Sequence, residues 1–149
     1  MNYAAIKPYD IANGPGVRVS LFVSGCTQHC PGCFQPETWD FNYGEKFNDK
    51  VIWKIIRLLE LSYISGLTIL GGEPLEYQNM QDVWALLDAV RRMGPKNKTV
   101  WLYTGFTFEQ LKSRQYREGR LTKDVLNKLD ILVDGPFIEA QKDIGLVFR

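Results

Sequence analysis

Four short apolar segments of this chain each run into a glycine-containing turn, and helical patterns fill the intervals between them. In "VRVSLFV", Val17, Val19, Leu21 and Val23 alternate with Arg18, Ser20 and Phe22, the period of a strand that ends at Ser24 and Gly25. "LTIL" from Leu67 to Leu70 stops at "GGEP", "TVWLY" from Thr99 to Tyr103 at "TGF", and "DILV" from Asp130 to Val133 at "DGP". Asn48 is placed to cap a helix through Val51, Ile52, Ile55, Leu58, Leu59 and Ser62 that ends at Gly66. Asn79 is placed to cap a second helix through Val83, Leu86, Leu87 and Val90, closing at Gly94 and Pro95. Thr107 with Gln110 has the pattern of a capping box opening a short helix, and "TKDVLNKL" gives a fourth through Val125, Leu126 and Leu129. Strands and helices in alternation predict an α/β fold, a mainly parallel sheet with flanking helices.

That order brings distant residues together, because ligands of open α/β sheets and barrels bind beyond the carboxyl ends of the strands. The turns after all four segments should therefore share one face. With 149 residues, 45% of them hydrophobic, the chain has the size of a single domain, residues 1–149, and no repeat or linker suggests a second. A formal charge of +1 without runs of like charge leaves no electrostatic footprint for nucleic acid or an anionic membrane. No apolar run is long enough to span a bilayer, and "MNYAAIKPYD" lacks the features of a secretory signal, so a cytoplasmic location is expected.

All three cysteines lie in "CTQHCPGC", at positions 26, 30 and 33. Three thiols cannot form a disulfide framework, and a reducing compartment keeps them as thiols or metal thiolates. Structural zinc usually takes four donors from two separated pairs. Here the fourth donor would have to be His29, beside Cys30, at the cost of a strained loop. A cubane iron-sulfur cluster is larger and offers each thiolate a different iron, leaving one iron open to a substrate. Cys30 and Cys33 also form a CxxC, but the redox version of that motif normally opens a helix and has no third cysteine.

The spacing Cys26-x-x-x-Cys30-x-x-Cys33, followed by Phe34 and with "GGEP" after a later strand, resembles the cluster motif of radical S-adenosylmethionine enzymes. "NGPGVRVSLFVSGCTQHCPGCF", "GGEP", "YTGFTFEQL" and "VDGPF" together resemble the activating enzymes of anaerobic ribonucleotide reductases, over nearly the whole chain. The resemblance implies a partial (βα) barrel of the radical S-adenosylmethionine type. By position, Cys26, Cys30 and Cys33 would bind three irons of a 4Fe-4S cluster, and the amino and carboxylate groups of S-adenosylmethionine would chelate the fourth. Gly71, Gly72, Glu73 and Pro74 would lie along the methionine amino group, with the Glu73 carboxylate favouring its positive charge. Thr104 and Asp134 would be further cofactor or cation contacts, although each also precedes a glycine and suits an ordinary turn.

The implied chemistry is reductive cleavage of S-adenosylmethionine to methionine and a 5′-deoxyadenosyl radical, which takes a hydrogen from a glycine α carbon of the reductase. A low-potential electron donor such as flavodoxin would supply the electron. A chain of one domain has few residues left to enclose a small molecule, which suits a protein substrate. The ending "LVFR", Leu146 to Arg149, departs from the family, which continues into a short polar tail. Two other readings stay open on sequence: an activator of another glycyl radical enzyme or a radical enzyme acting on a small molecule, and a zinc-binding interaction module without catalysis. Trp39, Phe41, Tyr43 and Phe47 suit a core or a cofactor cover, or a contact surface for the reductase.

Overall fold

A computed structural model describes residues 1–141; the reading made at Leu146–Arg149 lies outside the described residues. Among the described residues, six strands form one sheet, flanked by four α-helices. Strands β1 (Asn2–Asp10), β2 (Val17–Val23) and β3 (Glu45–Lys46) precede helix α1 (Asp49–Leu59). Strand β4 (Ile64–Gly71), helix α2 (Tyr77–Met93) and strand β5 (Thr99–Tyr103) come next. Helices α3 (Phe108–Ser113) and α4 (Tyr116–Leu126) lead to strand β6 (Ile131–Val133). The sheet order is β3-β1-β2-β4-β5-β6. β2, β4, β5 and β6 are parallel neighbours, while β1 runs antiparallel to both β2 and β3.

The alternation in β2 divides the sheet into two unlike faces. Val19 and Leu21 pair in register with Leu67 and Ile69 of β4, and these pair with Val100 and Leu102 of β5. All six side chains are fully buried, in one apolar core with Ile55, Ile56 and Leu59 of α1 and Val83, Leu86 and Leu87 of α2. The opposite face carries Arg18, Ser20, Phe22, Thr68, Leu70, Trp101 and Tyr103, and it borders a cavity.

Several boundaries differ from the sequence expectation. Helix α1 is capped by Asn48, whose side chain accepts from the N–H groups of Lys50 and Val51, but it ends at Leu59. Gly66 is not its terminator. It lies inside β4, where a Cβ would come within 2.0 Å of the Thr99 carbonyl oxygen. Asn79 is no cap either, since α2 begins two residues earlier and holds Asn79 buried in its first turns. The Thr107–Gln110 capping box is present in full. Helix α4 starts at Tyr116 and stops at Leu126, so Leu129 falls beyond it. β1 and β3 had no strand signal: β1 contains Pro8 and breaks register twice, which erases the alternation, and β3 has only two residues.

Candidate active site

The turns that leave β2, β4, β5 and β6 meet around one cavity of about 690 Å³, within the usual range of roughly 300–1,000 Å³ for small-molecule sites. Cys26, Cys30 and Cys33 line it, with Gly71, Gly72 and Glu73 from the second turn, Thr104 and Gly105 from the third and Asp134 from the fourth. Pro74 does not reach it. Phe22, Phe34, Trp39, Tyr103 and Phe137 supply aromatic walls.

All three cysteines are free thiols, each partly exposed. Their loop is anchored by its backbone: Gly25 N–H donates to Thr38 O at 2.8 Å, Cys26 N–H to Trp39 O at 3.2 Å, and Cys33 N–H to Cys30 O at 3.1 Å. Burial pushes the Cys26 thiol up, and the N–H groups of Gln28 and His29 work against that shift. His29 sits in the left-handed region at φ 47°, with its ring 4.5 Å from that of Trp39. Among the described residues, no three of His, Cys, Asp and Glu come together as a site for a single metal ion.

The "GGEP" turn packs directly on the cysteine loop. Gly72 N–H donates to Val23 O at 2.8 Å and Glu73 N–H to Gly25 O at 2.9 Å. A Cβ on Gly71, at φ 112°, would come within 2.6 Å of the Val23 backbone, and one on Gly72 within 2.8 Å of Gly25 O. The close approach these glycines allow is therefore to the backbone that carries the cysteines.

Glu73 is 1% exposed and joins three of the four turns. Its Oε1 accepts from Leu75 N–H at 2.8 Å and from the Thr104 hydroxyl at 2.8 Å, while Oε2 accepts from Gly105 N–H at 2.7 Å. Burial pushes the carboxyl up to about 7, against those hydrogen bonds, which favour the ionised form. Thr104 thus holds Glu73 in place as well as lining the cavity. The Asp134 carboxylate accepts from Phe108 N–H at 2.7 Å, the first residue of α3, so this turn residue also fastens a helix.

Asn79 is a positioning residue that sequence reasoning put at the start of its helix. Buried in α2, its amide nitrogen donates to Ser24 O at 2.9 Å and Glu73 O at 3.0 Å, clasping the cysteine loop to the "GGEP" turn. Glu76, just before the helix, accepts from Thr27 N–H at 2.9 Å and from the Thr27 hydroxyl at 2.5 Å. The available signal was spacing. Asn79 stands four residues before Val83 and seven before Leu86, a polar residue on the apolar stripe of its own helix.

The family model described as "4Fe-4S single cluster domain" matches residues 12–149. Over all of its length, the chain is 38% identical to the anaerobic ribonucleoside-triphosphate reductase-activating protein of Escherichia coli, of which the match covers 93%. The chain belongs to this family of activating proteins. The protein of the same name from Vibrio cholerae is also 38% identical over the whole chain, with 92% of it covered. That of Enterobacteria phage T4 is 38% identical over 92% of this chain and 81% of its own. The residues present fit the cluster of the family model. Three unpaired thiols face one cavity without forming a single-ion site, and the adjoining turn offers a buried carboxylate beside aromatic walls. No helix among the described residues is long and apolar enough to cross a membrane.

Proposed function

We propose that the chain is a radical S-adenosylmethionine activase that generates a glycyl radical on an anaerobic ribonucleotide reductase. The observation that carries this reading is the shared cavity: in a member of the activating-protein family, the three thiols line the same space as Glu73, Thr104 and Asp134. Cys26, Cys30 and Cys33 hold three irons of a 4Fe-4S cluster. The cluster and S-adenosylmethionine, when bound, supply one-electron reductive cleavage of the sulfonium and the hydrogen-abstracting power that oxidises a glycine α carbon.

The chain's own part is placement. The "GGEP" backbone, fixed to the cysteine loop by its hydrogen bonds, would hold the methionine end of the cofactor beside the thiols that bind the cluster. Glu73 offers a desolvated carboxylate to the cofactor's ammonium, which favours the ionised form that burial otherwise opposes. Thr104 and Gly105 hold that carboxylate, and Asp134 adds a second negative group at the rim. The aromatic walls give the adenosine a dry surface to pack on. The four parallel strands form the core of a partial (βα) barrel within a single cytoplasmic domain, and a low-potential donor such as flavodoxin delivers the electron.

The test is anaerobic incubation of the reconstituted chain with reductant, S-adenosylmethionine and the reductase, read by electron paramagnetic resonance. A carbon-centred radical doublet on the reductase, lost when its target glycine is changed to alanine, supports the proposal. Cofactor cleavage without any protein radical would move the chain to the enzymes that act on small molecules. A bound zinc and no cleavage would make the loop a structural clasp.

A further inference from the structure

Strand β1 slips register twice against β2. Tyr3 pairs with Val23, but Ala5, Ile6 and Lys7 pair with Phe22, Leu21 and Ser20, and Asp10 pairs with Arg18. Side chains alternate between faces, so each one-residue slip sends the later residues of β1 to the other side of the sheet. Continued in the register of Tyr3, Lys7 would stand opposite Val19 and its charge would enter the apolar core. The first slip places it opposite Ser20, on the cavity face.

Lys7 lines the cavity, its ammonium 4.9 Å from the centre of the Phe22 ring. Two other charged groups occupy this end of the same face. Asp10 is buried, with Oδ1 accepting from Ala12 N–H at 3.0 Å and Oδ2 from the Asn13 amide at 2.6 Å. Arg18 is buried too, its guanidinium donating to Thr68, Thr99 and the Leu67 carbonyl. Lys7 forms no ion pair with any described residue. At this end the charge that lines the cavity is that of the exposed Lys7, which the buried Asp10 carboxylate feels without pairing with it, whereas the cysteine end carries the carboxylates of Glu73 and Asp134.

Height on the sheet narrows what Lys7 can meet. Ser20 stands three residues before Val23, the partner of Gly71, so the Lys7 backbone lies about 10 Å below the "GGEP" turn at about 3.3 Å per residue. With its ammonium at Glu73, as the activase reading has it, S-adenosylmethionine would keep its carboxylate, borne on the same carbon, at the cysteine end. A carboxylate received at Lys7 would then come from another molecule.

We propose that Lys7 is a specificity-determining residue: its ammonium receives an acidic side chain of the protein segment that brings the target glycine into the cavity. This rests on the activase reading of the same cavity. It is tested by measuring radical formation against reductase concentration for the reconstituted parent, Lys7→Met, Lys7→Glu and Lys7→Arg, alongside the S-adenosylmethionine Kd of each without reductase. Lys7→Met is expected to raise the KM for the reductase about tenfold and Lys7→Glu further, as for loss and reversal of a partly desolvated charge pair. Lys7→Arg should stay within about threefold of the parent, because it keeps the charge but not its geometry. The gap between parent and Lys7→Met should narrow at high salt, which a merely structural role would not produce. Weakened S-adenosylmethionine binding with an unmoved KM would assign the carboxylate to the cofactor and overturn the proposal. Equal KM values across the four proteins would overturn it as well. A parent that cleaves no cofactor and forms no radical would sink the activase reading itself, before any variant is compared.

Discussion

The two faces of this sheet are built from the same strands, yet they solve opposite problems. On the helix side, Val19, Leu21, Leu67, Ile69, Val100 and Leu102 exclude water completely and need no partner but one another. On the cavity side, Arg18, Thr68 and Asp10 are also buried, but each is held by named hydrogen bonds, and the layer ends in an open site. Burial alone thus does not mark a structural core. A buried polar layer under a cavity acts as a floor, and its order fixes the loop that carries Asn13: Arg18 donates to Thr68, and Thr68 donates to Asn13 O at 2.8 Å.

Substitutions on the two faces should separate these roles. Leu21→Ala, fully buried among the helices, is expected to cost about 4 kcal/mol in urea unfolding through lost burial and a residual cavity. A loss below about 1 kcal/mol would mean the helix side is not the main source of stability. Glu73 makes the cavity side sensitive to pH. Its carboxyl titrates near 7 in the fold against an ordinary 4.5, so the native state binds this proton more tightly than the unfolded chain does. Stability should fall as pH rises from about 4.5 through about 7, by up to roughly 3 kcal/mol for the chain without cofactor. Glu73→Gln should flatten that fall, as read from denaturant midpoints at pH 5 and pH 8.

Arg18→Ala removes a guanidinium that serves Thr68, Thr99 and the Leu67 carbonyl. It should cost about 2–3 kcal/mol, because those buried groups lose their donor. Its loosening should appear first in faster amide exchange at Asn13 and Thr68, whereas Leu21→Ala should raise exchange throughout the helix side. Asp134→Ala is the mildest, about 1 kcal/mol for losing the acceptor at the start of α3, visible as a small drop in thermal midpoint. An equal exchange pattern for the Arg18 and Leu21 variants would erase the distinction between floor and core.

The sequence carried the parallel strands because each has clean alternation or a compact apolar run ending in glycine. It carried the cysteines and "GGEP" because their spacing has few structural reasons to occur together. It concealed β1, whose two register slips and Pro8 destroy period 2. Gly66 looked like a helix stop, but the close approach of Thr99 O, a contact between strands distant in sequence, is what demands glycine there. Asn79 looked like a cap for the same reason: its partners Ser24 and Gly25 lie more than fifty residues away. Local chemistry was legible, and chemistry set by long-range packing was not.

The most direct test of the central claim is iron content and 5′-deoxyadenosine production after anaerobic reconstitution, in the parent and in Cys26→Ala, Cys30→Ala and Cys33→Ala. The parent is expected to hold about four irons per chain, as a cubane cluster requires, with cofactor cleavage abolished in each variant. A parent that holds one zinc, or variants that still make deoxyadenosine at the parental rate, would contradict the activase assignment.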